Sequence, residues 1–191
     1  MNKKLIFIEG TSGSGKSTLA RGLVNIIYDS HHITYPAKED KQKLKELRYK
    51  VCRNYEEERN FYIEAFKNIE ANFKNIESNY IIFDRSWITG VVDTWDGESS
   101  VRIQESFFSE LARPAYVIHV QTPIRTCLER ITERQKNEDI PISKFENYEY
   151  LTHQAKKYTK ALCQMQSNII KINGELPTSQ SIASILRHIK N

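Results

Sequence analysis

Several residue types are scarce in this 191-residue chain, and each shortage excludes a class of protein. The three cysteines, Cys52, Cys127 and Cys163, are odd in number and show no C-x-x-C spacing. They predict neither a disulfide framework nor a zinc site, and they are typical of the reduced thiols of a cytoplasmic protein. No apolar run approaches the roughly 18 residues that a membrane-spanning helix needs. Because the N-terminus leads directly into a predicted strand, we also expect no signal peptide.

The bulk composition is that of an ordinary globular protein, with 39% hydrophobic and 27% charged residues. The sequence has no internal repeat, low-complexity linker or shift in composition, so residues 1–191 are predicted to form one domain. The net charge of +4 suits an enzyme that handles phosphates, and it leaves a nucleic-acid substrate open.

Glycine is also uncommon, with seven in the chain, yet three of them fall within residues 10–15. They follow an apolar run and precede a Lys-Ser-Thr triplet and a helical pattern, which gives the G-x-x-x-x-G-K-S/T motif between a strand and a helix. In such a loop the backbone N–H groups bind phosphate oxygens, the lysine reaches the β- and γ-phosphates, and the serine hydroxyl ligates Mg²⁺. The motif predicts that a nucleoside triphosphate binds to Gly10, Thr11, Ser12, Gly13, Ser14, Gly15, Lys16, Ser17 and Thr18, with Mg²⁺ on Ser17.

Short apolar runs alternate with longer helical patterns, which predicts an α/β protein with a parallel sheet and helices on both faces. The predicted strands are 4–9, 32–35, 80–84, 116–120 and 169–172. The predicted helical stretches are 16–28, 40–77, 99–111, 123–134, 144–166 and 178–190, with Thr122 as the cap of the fourth. Residues 135–142 are charged and contain a proline, and they predict a mobile loop.

A second motif lies at the end of the predicted strand 80–84, where Asp84 and Arg85 follow an apolar run. Ligands of open α/β sheets bind at the carboxyl edge of the strands, so Asp84 is a candidate ligand of Mg²⁺. The planar guanidinium of Arg85 suits a phosphate or a carboxylate. The alternative is an Asp-Arg pair that only begins a helix.

Cations also cluster in residues 127–142. Arg130 and Arg134 lie four residues apart and share a helix face, and Lys136 follows in the predicted loop. These cations would close over the triphosphate and stabilise charge on the transferred phosphoryl group, while Glu138–Asp139 would tether the loop or contact the acceptor. The alternating charges are also typical of a solvated helix.

The segment after the second predicted strand offers candidates for the acceptor side. Glu39 or Asp40 would act as a base and Lys38 as a phosphate contact, although acidic residues here also favour the first turn of a helix. Arg59 is a further candidate for the same cleft. The aromatic residues of this region include some that could stack on a nucleobase, but their helical spacing is more typical of a core.

These segments together resemble the P-loop family that includes thymidylate kinases and deoxynucleoside kinases. Residues 7–18 (FIEGTSGSGKST) are similar to the phosphate loop of both branches, and residues 84–92 (DRSWITGVV) to the Asp-Arg-aromatic segment of thymidylate kinases. Residues 128–142 (LERITERQKNEDIPI) are similar to the deoxynucleoside-kinase lid, whose cations and acidic pair Arg130, Arg134, Lys136 and Glu138–Asp139 match. Residues 144–151 are similar to the post-lid helix of thymidylate kinases, and residues 171–186 to the closing strand and helix, whose loop passes near the adenine.

The resemblance implies a three-layer sandwich with a five-stranded parallel sheet and a lid at about 134–142. It implies ATP with Mg²⁺ as donor and a deoxynucleoside or its monophosphate as acceptor, and it makes a homodimer formed through helices the default assembly. The catalytic cations would be Lys16, Arg85, Arg130 and Arg134. Contacts to the acceptor would come from Glu39, Arg59, Asp84, Arg85 and Asp139, and Mg²⁺ would lie on Ser17 and Asp84.

Two departures bear on the acceptor. Thr11-Ser12 stand where thymidylate kinases usually carry an aspartate, and Tyr35-Pro36 where deoxynucleoside kinases carry a Glu-Pro base. Because no general base is obvious, we expect a deoxynucleoside monophosphate as acceptor, since it is already ionised. The alternatives are a deoxynucleoside 5′-hydroxyl, a group on a nucleic acid, and a nucleotide-binding module without catalysis.

Overall fold

Five parallel strands form the centre of the molecule. They are β1 (Lys4–Glu9), β2 (Ser30–Thr34), β3 (Tyr80–Asp84), β4 (Tyr116–Gln121) and β5 (Asn168–Asn173), in the order β2-β3-β1-β4-β5. The computed structural model describes residues 3–95, 100–138 and 143–189. The central strand β1 pairs in parallel with β3, where Ile8 lies beside Asp84, and with β4, where Ile6 lies beside Tyr116. The predicted five-stranded parallel sheet is confirmed.

Helices cover both faces of this sheet, as predicted. They are α1 (Lys16–Ile26), α2 (Asp40–Tyr49), α3 (Tyr55–Phe73), α4 (Trp87–Asp93), α5 (Ser100–Glu105), α6 (Ile124–Glu138), α7 (Tyr148–Cys163) and α8 (Thr178–Ile189). Successive side chains of a strand point to opposite faces, and both faces of β1 are buried. Phe7 belongs to one core with residues of α3, α4 and α7, and Ile6 and Ile8 belong to a second core with residues of α1 and α8.

The predicted helical stretch 40–77 is in fact two helices, because a cap interrupts it. Asn54 is extended, and its side chain accepts hydrogen bonds from the backbone N–H groups of Glu56 (3.0 Å) and Glu57 (3.3 Å). An asparagine in this position begins a new helix. The chain therefore turns between α2 and α3, and the two helices flank one side of the ligand cleft described below.

The prediction gave no helix directly after Asp84, but the structure has α4 there. The Ser86 hydroxyl caps it by accepting the Ile88 N–H at 3.2 Å. All seven residues of α4 are buried, so the helix has no polar face and no amphipathic pattern by which to find it. Further along, α5 is shorter than the predicted stretch 99–111.

Helix α6 runs four residues further than predicted, so the loop prediction is wrong for residues 135–138. Ile131 and Gln135 are four residues apart and 2% and 6% exposed, which continues the inward face of the helix into this charged segment. Residues 139–142 lie outside the described ranges. Thr122 does not use its hydroxyl as the predicted cap but donates it to the Ser14 carbonyl oxygen at 2.9 Å.

Within the described residues, no helix combines the length and the apolar character that a membrane span requires.

Candidate nucleotide and acceptor site

The predicted phosphate loop connects β1 to α1 at the carboxyl edge of the sheet. Gly13 and Gly15 have φ angles of +76° and +95°, a backbone conformation that L side chains rarely adopt. A Cβ atom at Gly13 would also collide with the Cys127 carbonyl oxygen of α6. The glycines therefore allow the loop to curl while lying directly on α6.

Arg130 fastens this loop to its surroundings. Its Nη1 lies 3.5 Å from the Gly13 carbonyl oxygen and 3.4 Å from that of Ser14, and its Nη2 donates to the Gly174 carbonyl oxygen at 2.9 Å. Gly174 follows β5, so one guanidinium joins α6, the phosphate loop and the β5–α8 connection. Arg130 also lines the cleft, where a catalytic role for it stays a prediction.

Lys16 is the first residue of α1 and is only 4% exposed. Its Nζ donates to the Thr11 carbonyl oxygen at 2.8 Å, which holds the ammonium group inside the loop. Burial, together with the positive charge of Arg85, lowers the pKa of Lys16 to about 7. The site thus holds a cation at a free-energy cost that an anionic ligand would offset.

Glu9, the last residue of β1, is fully buried and anchors the start of α4. It accepts hydrogen bonds from the Ser86 N–H (2.7 Å), the Ser86 hydroxyl (2.6 Å), the Thr89 hydroxyl (2.8 Å) and the Tyr158 hydroxyl (3.2 Å). Burial raises its pKa to about 7 against these hydrogen bonds, which lower it. The sequence indicated Glu9 only as part of the loop motif, because its partners lie 77 to 149 residues away.

Asp84 and Arg85 lie next to the phosphate loop, as their place in the sequence predicted. Asp84 is 6% exposed, and its Oδ1 is buried without a hydrogen-bond partner among the described residues. Arg85 has a left-handed φ of 71°, and its N–H donates to the Ile8 carbonyl oxygen at 3.1 Å. This unusual backbone fixes the direction in which the chain leaves the sheet edge.

The residues present fit a hydrated Mg²⁺ held in part by a bound triphosphate. Among the described residues no group of three His, Cys, Asp or Glu side chains could hold a metal ion. Magnesium, however, is usually bound by one or two protein ligands together with substrate phosphates and water. The Ser17 hydroxyl and the unpartnered Asp84 oxygen line the same cleft and supply such a set.

A cleft of about 870 Å³ extends from the phosphate loop toward α2, α3 and α7. It brings together most of the residues that the sequence predicted for the site: Ser12, Gly13, Gly15, Lys16, Ser17, Thr18, Asp84, Arg85, Arg130 and Arg134. Gly10, Thr11 and Ser14 are buried beneath the loop. A second cavity of about 260 Å³ lies on the other side of Arg130 and is bounded by Gly15, Thr18 and the β5–α8 connection.

A polar cluster that sequence reasoning missed closes the far end of the cleft. At its centre is Asp93, the last residue of α4, which is 4% exposed. It pairs with Arg48, and it accepts hydrogen bonds from the Tyr62 hydroxyl and the Gln154 amide, each at 2.8 Å. Burial alone would raise the pKa of Asp93, but the guanidinium groups of Arg48 and Arg85 hold it below its ordinary value.

Opposite charges meet in this cluster, and Arg85 adds a further positive charge near Asp93. Glu58 is fully buried and pairs with Arg53, while the Nε of Arg48 lies 3.6 Å from the second Glu58 oxygen. Two arginines therefore face two carboxylates, Asp93 and Glu58. Arg59, the neighbour of Glu58, was predicted as an acceptor contact, but none of the four residues of this cluster was.

Two predicted acceptor residues lie elsewhere, and a third is not among the described residues. Glu39 is exposed just before α2, and the cleft-lining residues that the structure describes do not include it. Arg59 is partly buried on α3, and its Nη2 donates to the Thr94 carbonyl oxygen at 3.3 Å; it too is outside the described lining. Asp139 lies outside the described residues. Lys136 lines a surface groove on the outer side of α6, at Tyr148.

Aromatic residues divide between core and cleft. Phe61, Phe66, Phe73 and Trp87 are buried in the core, which is the placement that their helical spacing favours. Tyr62 is the exception, because it lines the cleft, together with Phe145 and Tyr150, which the sequence did not single out.

Comparisons with known proteins agree with this architecture. A family model described as an AAA domain matches residues 6–150. A search of curated protein sequences found no match. Solved structures of a deoxyadenosine kinase from M. mycoides match over nearly all of both chains.

With dATP bound, that kinase superposes with a TM-score of 0.70 at 20% identity and covers 98% of this chain and 100% of its own. With the products dCMP and a flexible dCDP, the TM-score is 0.69 at 22% identity, covering 97% of this chain and 98% of that one. With dCTP the values are 0.63 and 20%, over the same shares of the two chains as with the products. The predicted P-loop kinase resemblance is thereby confirmed at the level of family and fold: the chain belongs to the AAA-domain family of P-loop proteins and has the fold of a nucleoside kinase.

Proposed function

We propose that this protein is an ATP-dependent kinase that transfers the γ-phosphoryl group to the 5′-hydroxyl of a nucleoside, with deoxynucleosides as the substrate class. The observation that carries the proposal is the ion pair of Arg48 and Asp93 at the acceptor end of the cleft, which the Arg53–Glu58 pair supports from outside the described lining. The Arg48–Asp93 pair lies in the same cleft as the phosphate loop and Asp84.

The donor half follows from the phosphate loop. Lys16 and the N–H groups around Gly13 and Gly15 bind the phosphates of ATP, and Arg134 approaches the transferred group from α6. A Mg²⁺ ion held by Ser17 and Asp84 would neutralise charge on the phosphates. Phosphoryl transfer needs alignment and positive charge more than covalent chemistry from the protein, which is what these side chains supply.

The charges of the acceptor half favour a neutral substrate. A nucleoside monophosphate carries up to two negative charges, and its binding site needs cations that are not already neutralised. Arg48 lines the cleft and faces the buried carboxylates of Asp93 and Glu58, so a phosphate placed beside it would compete with them. A base edge or a sugar hydroxyl can instead exchange hydrogen bonds with Asp93 and Gln154 without any charge to offset.

A 5′-hydroxyl must lose a proton as it attacks, and Asp84 is placed to accept it. Its side chain lines the cleft beside Arg85, and its two carboxylate oxygens would divide the tasks: one would hold Mg²⁺ and the other would accept the proton. Asp84 would therefore take over the task of the absent Glu-Pro base at Tyr35-Pro36. The similarity in fold to a deoxyadenosine kinase supports the same acceptor class.

A nucleoside monophosphate is the second candidate acceptor. The observation in its favour is that Arg21 of α1 and Lys41 of α2 also line the cleft and are exposed. Two cations at the rim could bind a phosphate that does not reach the polar cluster.

A transfer assay with radiolabelled ATP separates the two acceptors. The panel contains the common deoxynucleosides, their 5′-monophosphates and an oligonucleotide with a free 5′-hydroxyl. We expect product from one or more deoxynucleosides, and about a hundredfold lower kcat for Asp84→Asn. Product from the monophosphates alone would overturn the assignment in favour of the second candidate, and product from the oligonucleotide alone would assign the acceptor to nucleic acid.

A further inference from the structure

Glu146 lies between α6 and α7 and joins three groups on the donor side of the cleft. Its Oε1 accepts hydrogen bonds from the Ser12 hydroxyl of the phosphate loop at 3.1 Å and from the Nη2 of Arg134 at 2.9 Å. Its Oε2 accepts from the Gln135 amide at 3.2 Å. No sequence motif pointed to Glu146.

The Glu146–Arg134 pair is more than a surface ion pair. The Glu146 side chain is only 13% exposed, whereas that of Arg134 is 47% exposed. A half-exposed arginine on its own samples many rotamers, and fixing it in one of them costs free energy. Among the described residues, Glu146 therefore supplies the buried contact that selects a direction for the Arg134 guanidinium.

The contact leaves Arg134 able to bind a phosphate. A guanidinium carries five N–H donors, and the bond to Glu146 is made by Nη2. The remaining donors can meet oxygens of a phosphoryl group in the cleft, which Arg134 lines. Holding Arg134 in place and using it as a cation are compatible.

Glu146 is itself held from the acceptor side. Its N–H donates to the Ser143 carbonyl oxygen at 2.8 Å. The ring of the preceding residue, Phe145, lies 5.6 Å from the ring of Tyr49 of α2 and 5.1 Å from the guanidinium of Arg53. The short segment 143–146 thus connects the elements around the acceptor cluster to the phosphate loop and α6.

We propose that Glu146 is a positioning residue that holds Arg134 where it meets the transferred phosphoryl group. The assignment rests on the proposed phosphoryl transfer, and it adds a residue that acts through Arg134 without touching the substrate. Pre-orienting a cation in this way lowers the barrier to transfer and leaves the binding of ATP nearly unchanged.

A double-mutant cycle tests this assignment. We expect Arg134→Ala to lower kcat by about a hundredfold and Glu146→Ala by about tenfold, with the KM for ATP within threefold of the wild type in the second case. The double variant should have the kcat of Arg134→Ala within a factor of two, because Glu146 has nothing left to position. Glu146→Gln keeps an oxygen acceptor and should recover kcat to within about threefold of the wild type.

A purely structural role gives a different pattern. It would lower kcat by a similar factor whether or not Arg134 is present, and this result overturns the assignment. Glu129→Ala is the matched control, because it breaks an exposed pair with Arg125 on the same helix and should leave kcat unchanged.

The same cycle can be run on the background hydrolysis of ATP by water, which needs no acceptor. If no acceptor is phosphorylated but the cycle is non-additive, the proposed function fails while the role of Glu146 stands. If acceptors are phosphorylated and the two effects simply multiply, the role of Glu146 fails while the function stands.

Discussion

Replacing Lys16 with methionine should stabilise the protein in the absence of nucleotide while abolishing ATP binding. Methionine keeps most of the length and volume of lysine without its charge. Lys16 is 4% exposed, so its ammonium group is held almost entirely out of water. A residue that the reaction needs would thus be one that the fold tolerates at a cost.

The size of the effect follows from the pKa of Lys16. Burial lowers it from 10.5 to about 7, and at roughly 1.4 kcal/mol per pKa unit this corresponds to ~5 kcal/mol against the charged form in the folded state. Methionine cannot donate to the Thr11 carbonyl oxygen, which keeps a hydrogen bond from the Ser14 N–H at 3.3 Å, and losing the bond to the charged ammonium group costs about 1.5–3 kcal/mol. The net gain below pH 7 should therefore be roughly 2–4 kcal/mol in the free energy of unfolding.

The gain should also depend on pH in a defined direction. Between pH 7 and 10.5 the unfolded chain keeps the Lys16 proton and the folded protein has lost it, so the stability of the wild type rises with pH in this window. The advantage of the Lys16→Met variant should then shrink as the pH rises from 7 toward 10.

Urea unfolding of both proteins without nucleotide, at pH 6 and pH 9, measures these differences. A parallel thermal scan with Mg-ATP should raise the Tm of the wild type and leave that of the variant unchanged. Destabilisation of Lys16→Met by more than 1 kcal/mol at pH 6, or the same difference between the proteins at both pH values, would refute the reasoning.

Three further predictions concern other parts of the site. Gly13→Ala should destabilise the protein by at least ~2 kcal/mol and abolish ATP binding. The φ of +76° is strained for alanine, and the Cys127 carbonyl oxygen would collide with the added methyl group. Urea unfolding measures the loss of stability, and an ATP titration measures the loss of binding. Asp93→Asn should raise the KM for the acceptor tenfold or more and leave the KM for ATP within threefold, because it removes the charge opposite Arg48. Steady-state kinetics with each substrate varied in turn measures both constants. A similar rise in both KM values would contradict the prediction. Asn54→Ala should cost about 1 kcal/mol in unfolding free energy through loss of the α3 cap, and a cost below 0.3 kcal/mol would argue against the cap as the cause of the break between α2 and α3.

The donor half could be predicted from the sequence because its chemistry is local. The residues from Gly10 to Thr18 are contiguous, and the glycines among them directly indicate the positions where the backbone takes a positive φ. Asp84 and Arg85 were found for a similar reason: the end of a buried strand in an α/β protein lies at the ligand edge. Strands β1, β3 and β4 were predicted well because they are short apolar runs buried on both faces.

The acceptor half could not be predicted, because it is assembled from distant segments. Arg48, Tyr62, Asp93 and Gln154 come from four different helices, and each is a polar residue in an otherwise ordinary helical stretch. Their function depends on how α2, α3, α4 and α7 pack. Arg59 was predicted as an acceptor contact from its place in the mid-chain helical stretch. The ion pairs of Glu58 include those with Arg53 and Arg48, which precede it in the sequence.

The end of α6 was mispredicted because charge was taken as a sign of a loop. A helix covered by neighbours on one side only can carry many charges on the other, and only its inward positions reveal it. Glu146 escaped notice for a related reason, since a single glutamate between two helices has no pattern. The assembly into a homodimer and the cytoplasmic location stay predictions.

Helix α4 sets the distance between the phosphate loop and the polar cluster around Asp93. Glu9, the residue directly before the phosphate loop, accepts hydrogen bonds from Ser86 and Thr89 in the first turn of α4, and Asp93 is the last residue of this helix. With a rise of 1.5 Å per residue, the distance from Ser86 to Asp93 along the helix axis is about 10 Å. One inserted residue would lengthen α4 by ~1.5 Å and rotate Asp93 by about 100° around the helix axis, away from Arg48 and Tyr62. The length of this buried helix therefore fixes both the distance and the orientation of Asp93 relative to the phosphate loop.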